Sequence, residues 1–176
     1  EVFDTVRGAG NFVRPDATDA NLLDTNRLSA FNSDGFSLRT AVQVNDSGTD
    51  YASWTFAKQE GFFDVVTYTG SGGYRTVDHN LGCTPGLILI KTYANSGTWR
   101  TFVNTGYEWN MGIDQEYSAG VSESTTPGYV SGATDTTVTL QPDHLGNIGA
   151  VNYAGHSYVM YLFAGGSVKG PLTATT

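Results

Sequence analysis

The pattern Val-Asn-x-x-Gly-x-x-Tyr-x-x-(Trp/Tyr)-x-Phe-Ala occurs twice in this chain, at Val44 to Ala57 and again at Val151 to Ala164. Each copy follows a short strand signal, Phe36-Ser37-Leu38 before the first and Val138-Thr139-Leu140 before the second. This common context predicts two related β units. Within each copy Val-Asn is expected to end one strand, the Gly to permit a positive φ in a turn, and the residues from Tyr onward to form the return strand of a hairpin. Alternation then puts Ala52, Trp54 and Phe56 on one face of the first return strand, and Val159, Tyr161 and Phe163 on the matching face of the second. Both faces are expected to be core. The opposite faces differ: Tyr51, Ser53 and Thr55 can meet water, whereas Tyr158, Met160 and Leu162 need a cover from another sheet or another chain.

The rest of the chain reads in the same way. Residues 65 to 79 alternate in the β manner, with Val65, Thr67 and Thr69 on one face and Val66 and Tyr68 on the other, followed by Gly70-Ser71-Gly72-Gly73 and Tyr74 to His79, which predicts a hairpin. Leu87 to Ile90 is apolar on both faces and predicts a central strand covered on both sides, with Trp99 to Val103 as another strand. The stretch 104–133 loses clear period and is expected to be long loops with one short strand. With 22 glycines and only 15% charged residues among 176, the composition suits turns and pleated surfaces better than solvent-exposed helices. The expected fold is all-β: an antiparallel, jelly-roll-like β-sandwich built from two related strand-hairpin units with long glycine-rich loops. The first motif has no equivalent of the Phe63 to Ile90 region before it. Residues 1–60 are therefore read as the C-terminal part of a first repeat unit that begins upstream, 61–166 as a complete second unit, and 167–176 as a C-terminal tail.

A formal net charge of -8 and a pI near 4.6 argue against nucleic acid as a partner, because phosphate-backbone binding relies on clustered Lys and Arg. No apolar run approaches the roughly 20 residues a membrane-spanning helix needs, so membrane insertion is not expected. The single cysteine, Cys83, cannot form an intrachain disulfide.

Candidate chemistry is sparse. His79 closes a strand before a turn without a nucleophile at triad spacing, and is expected to pin that turn through local backbone bonds. His144 and His156 fall in predicted loops without metal-ligand spacing. Asp16, Asp19, Asn21, Asp24 and Asn26 form an oxygen-rich stretch of the kind Ca²⁺ favours, but without a regular calcium-loop pattern, and are read as a polar surface loop. Neither a metal nor a cofactor is expected.

The wording of several segments adds to this. Phe62-Phe63-Asp64-Val65-Val66-Thr67-Tyr68-Thr69-Gly70-Ser71-Gly72, then Val77-x-His79-Asn80-Leu81-Gly82-x-x-Pro85-Gly86, then Ile88-x-Ile90-Lys91 and Trp99, resemble a repeat domain of unknown function found in structural proteins of tailed phages, especially marine cyanophages. Phe31 to Leu38 and the Tyr-x-x-(Trp/Tyr)-x-Phe-Ala strand look like the other end of that repeat. The resemblance covers about two thirds of the chain. It implies a tail fibre or other virion appendage, built as a homo-oligomer, and no known catalytic residues.

On that footing the chain is expected to be a non-enzymatic structural domain at the virion surface that aids host adhesion. Its expected partners are copies of itself, a trimer being one arrangement, other virion proteins and a host-surface glycan. The alternatives are a carbohydrate-binding receptor-recognition module and a capsid decoration protein. Tyr107, Trp109, Tyr117 and Tyr129 are the candidates for glycan or partner contact, since sugar rings stack on exposed aromatic faces. A polysaccharide-depolymerase reading would pair Glu108 with Glu116, but only nearness in sequence links them, and a solvated loop charge is the simpler account.

Overall fold

A computed structural model describes residues 1–104, the backbone of 109–111, and residues 130–142 and 151–165. The described residues form antiparallel strands and one short helix, so the all-β reading holds. β1 (Val2–Phe3), β2 (Asn11–Val13) and β3 (Leu22–Leu23) make a small sheet, and β4 (Leu28–Asn32) and β5 (Gly35–Leu38) make a ribbon. After the single-turn helix α1 (Val42–Asn45) come β6 (Phe63–Thr69), β7 (Arg75–Asp78), β8 (Pro85–Thr92), β9 (Trp99–Asn104), β10 (Trp109–Met111), β11 (Val130–Ala133), β12 (Thr137–Leu140) and β13 (Ser157–Ala164). Two sheets dominate: a five-stranded one in the order β10-β9-β8-β13-β6 and a three-stranded one in the order β11-β12-β7. The pairings of β6 with β13 and of β7 with β12 are nested, so late strands close over early ones.

β13 sits between β6 and β8, with Met160 opposite Val66 on one side and Ile90 on the other. Its Tyr158, Met160 and Leu162 are buried with Ile88, Ile90 and Phe102 against Val77, Val130, Val138 and Leu140 of the smaller sheet. Each such fully buried apolar side chain contributes about 1.5–3 kcal/mol of transfer free energy. Val159 and Tyr161 on the other face are buried with Phe63 and Val65, with Val2 and Trp99 packed against them. The expected two-sided cover of β13 is present, and both covers come from this chain.

The predicted hairpin of Val65 to His79 is not formed. β6 and β7 lie in different sheets, and the glycine-rich turn between them is a corner clamped by Asn152. The Asn152 Nδ2 donates to Gly73 O (2.5 Å) and Gln141 O (3.1 Å), while its Oδ1 accepts from the Ser71 amide (2.9 Å). Gly70 passes so near the backbone that a Cβ there would lie 2.1 Å from the Tyr153 carbonyl oxygen.

The two halves do repeat one another in detail. The β4–β5 and β11–β12 hairpins share an irregular register at the same place, around Ser29 and Ser131. The hydroxyl of each serine donates across the ribbon, Ser29 to Ser37 O (3.2 Å) and Ser131 to Thr139 O (3.4 Å). Both motif glycines have positive φ, 79° at Gly48 and 77° at Gly155. Both turns carry the same bonds: Thr49 N to Asp46 O (3.3 Å) and His156 N to Tyr153 O (3.1 Å). The motif tyrosines also cap both turns, with Asp46 N donating to the Tyr51 hydroxyl (3.0 Å) and Tyr153 N to the Tyr158 hydroxyl (3.1 Å).

Beyond the tyrosine the copies part. Ser157–Ala164 is a central strand, but Tyr51 to Ala57 is in no strand and Val44-Asn45 belongs to α1 rather than to a strand end. The expected first hairpin is therefore absent, and Ala52, Trp54 and Phe56 are exposed instead of forming a core. The physical difference is the flank. β13 has β6 and β8 to bond with, whereas the first copy has no pair of neighbouring strands, and alternation alone cannot bury a face.

Candidate interaction surface

Of the residues marked for glycan or partner contact, Tyr107, Tyr117 and Tyr129 lie outside the described residues, as do Glu108, Glu116 and His144. Trp109 opens β10 opposite Asn104 of β9, and its side chain also lies outside the description.

The aromatic surface that the described residues do present is the segment from Tyr51 to Phe62. It is held at two points. The Tyr51 hydroxyl donates to Val42 O (2.7 Å), and the Phe56 ring packs on Phe62, Phe63 and Phe163 at centroid distances of 6.2, 5.7 and 5.4 Å. Between these anchors Trp54 is 83% exposed, with Tyr51 at 49% and Phe56 at 47%. Among the described residues no backbone hydrogen bond is made by residues 50–58. An uncharged, aromatic segment whose backbone is unpaired among the described residues is the chemistry of a strand that can add to another. Alternation marks Trp54 and Phe56 as core and only Tyr51 as open to water, so the sequence does not point to this surface.

The neighbouring edge of the main sheet is closed over much of its length. Gln59 exchanges amide and carbonyl bonds with Phe63 (2.9 and 3.0 Å), and Lys58 Nζ donates to Val65 O (3.0 Å). The Val65 amide donates to Asp64 Oδ1 (2.8 Å), and Arg75 Nη1 donates to Thr69 O (2.5 Å). Bonds within the chain thus take up the outward-facing groups of Phe63 and Val65 and the Thr69 carbonyl.

A pocket of about 210 Å³ opens at the end of the sandwich, lined among others by Thr92, Thr98, Arg100, Tyr153, His156 and Tyr158. The buried Thr98 Oγ1 has no hydrogen-bond partner among the described residues. Hydroxyl, guanidinium and aromatic groups around a small cavity suit a polar ring such as a sugar. His156 and Tyr153 come from the motif turn, and their use as pocket walls has no sequence signature.

The buried ionisable groups are tied into the framework. His79 pins its turn as expected, its Nδ1 accepting from the Leu81 amide (3.2 Å). Among the described residues its Nε2 has no hydrogen-bond partner, and burial holds its pKa below 6.5 although Asp64 and the Thr134 and Thr137 backbone oppose this. For Asp64, burial acts to raise the pKa but is outweighed by bonds from Lys58, the Asn80 amide (2.8 Å) and the Val65 amide, so the carboxyl lies below 3.8. Lys91 is fully buried, its ammonium donating to Asp19 O (2.8 Å) and Thr92 O (2.7 Å), and burial lowers its pKa to about 8 against the attraction of Asp19. In the oxygen-rich stretch, Asp19 pairs with Arg14, Asp24 with Arg27 (3.0 Å), and Asn21 Oδ1 accepts from Arg7 (3.0 Å). Those side chains are engaged by the chain's own cations.

Together these features define an all-β domain of antiparallel sheets in a sandwich-like arrangement. A family model described as a domain of unknown function, DUF7483, matches residues 1–170, and the chain belongs to that family. No curated protein and no solved structure matches it.

Proposed function

We propose that this chain is a non-enzymatic structural domain of a phage virion, part of a tail fibre or similar surface appendage, that assembles with copies of itself and aids adhesion to the host surface. The observation that carries the reading is the repeat. The bulged hairpin at 28–38, the turn at Gly48 and the cap by Tyr51 share register and bonds with the hairpin at 130–140, the turn at Gly155 and the cap by Tyr158. Chains built from such units form extended assemblies, and the His79-Asn80-Leu81-Gly82 phrase resembles phage structural repeats. Immunogold microscopy of purified virions with antibody to this domain tests it: label on fibres is expected, label spread over the capsid supports the decoration alternative, and unlabelled virions overturn the proposal.

A second reading, a carbohydrate-binding receptor-recognition module, is favoured by the pocket beside Tyr153 and His156. A host-glycan array supports it if binding is lost on Tyr153→Ala or His156→Ala. Binding that neither substitution alters, or its absence, counts against it.

A further inference from the structure

We propose that Tyr51 to Ala57 is a pairing strand whose partner is the same segment of a second copy, joined antiparallel about a two-fold axis at Trp54. The proposal deepens the structural reading above and rests on its claim of self-assembly.

The segment is strand-like by its own chain's standard. It matches β13 in the turn that precedes it, in the tyrosine that caps that turn and in the Tyr-x-x-(Trp/Tyr)-x-Phe-Ala pattern, and β13 is bonded along both edges. Here the same pattern is anchored by Tyr51 and Phe56, with no bond from its amides or carbonyls to the rest of the described backbone. Anchoring at both ends lowers the entropy that a loose segment would lose on pairing. The β6 edge of another copy is a poorer acceptor, because Lys58, Gln59, Asp64 and Arg75 occupy most of its outward groups and leave only a short open run about Thr67.

The segment is complementary to itself. Antiparallel pairing centred on Trp54 sets Ser53 against Thr55, Ala52 against Phe56 and Tyr51 against Ala57. At each end it brings Asp50 of one copy beside Lys58 of the other, whose ammonium also binds Asp64 and Val65 O of its own chain, so opposite rather than like charges meet there. No charged residue lies between Asp50 and Lys58, so two chains that each carry a net charge of -8 meet along a neutral stretch. Trp54 and Phe56 of both copies share one face, which joins four aromatic rings. A two-fold contact of this kind closes on itself and leaves a dimer.

Sedimentation analysis of the 176-residue chain is expected to show a dimer. Trp54→Lys sets like charges opposite each other and is expected to give a monomer with an unchanged melting temperature, since Trp54 is exposed in the single chain. Register is read separately. Trp54→Cys is expected to form a disulfide-linked dimer under mild oxidation, because only this position faces itself, whereas Tyr51→Cys and the wild type with Cys83 are not. A wild-type monomer, a trimer, or a dimer that persists in Trp54→Lys overturns the proposal. Virion labelling would stand in any of those cases, so failure here is distinct from failure of the fibre reading.

Discussion

The Tyr161 hydroxyl donates to Asp4 Oδ2 across 2.7 Å and accepts from Arg7 Nη2 at 3.1 Å, tying the first residues of the chain to its last described strand. Arg7 also binds Asp4 through Nε (2.6 Å), so a buried ion pair is centred on a phenol. Tyr161→Phe removes one partner but leaves the ion pair, and is expected to cost about 1 kcal/mol. Asp4→Ala leaves the buried guanidinium without its counter-charge and is expected to cost about 3–5 kcal/mol. Urea unfolding of the two variants checks the order.

Lys91 gives an alkaline signature. Its folded pKa of about 8 lies below the ordinary 10.5, so between these values the unfolded chain holds more protons and stability rises with pH. Tyr68 and Tyr161, whose pKa values burial raises above 10, oppose the rise only beyond pH 10. Denaturant midpoints measured from pH 8 to 10 are expected to climb in the wild type and to stay flat in Lys91→Met.

The acid side has two limbs. His79 and Asp64 are both lowered in the fold, so each contributes stability that is complete above its ordinary pKa, 6.5 and 3.8, and is lost as pH falls through the folded value. A pH series of thermal melts is expected to lose the upper limb in His79→Asn and the lower one in Asp64→Asn.

The corner between β6 and β7 separates two glycines that look alike in sequence. Gly70→Ala drives a methyl into the Tyr153 carbonyl and is expected to cost about 3 kcal/mol or more, whereas Gly73→Ala meets nothing within 4 Å and is expected to stay within about 0.5 kcal/mol. Equilibrium unfolding distinguishes them.

What was legible in the sequence was local. The β class, the turn glycines Gly48 and Gly155, the two-sided strand at Tyr158 to Ala164 and the role of His79 all follow from side-chain alternation and turn chemistry within a few residues. What failed depended on distant partners. Val65 to His79 has the pattern of a hairpin, but Asn152 takes hold of its turn and sends β7 to the other sheet. Trp54 and Tyr161 hold equivalent places in the motif, yet one is exposed and the other buried, because the neighbours that bury a strand are set by topology and not by the strand itself. The pocket and the Asp4–Arg7–Tyr161 cluster likewise join residues far apart in the chain, which no spacing could announce.

The side chains laid along β6 have a further meaning. A bare sheet border admits one more strand, then another, and growth of that kind has no natural stopping number. By spending Lys58, Asp64 and Arg75 on that border, the chain narrows the stretch of its main sheet on which a further strand could start. At high local concentration such a molecule is shielded along that stretch from edge-to-edge stacking, and a newcomer finds only a short run of open backbone.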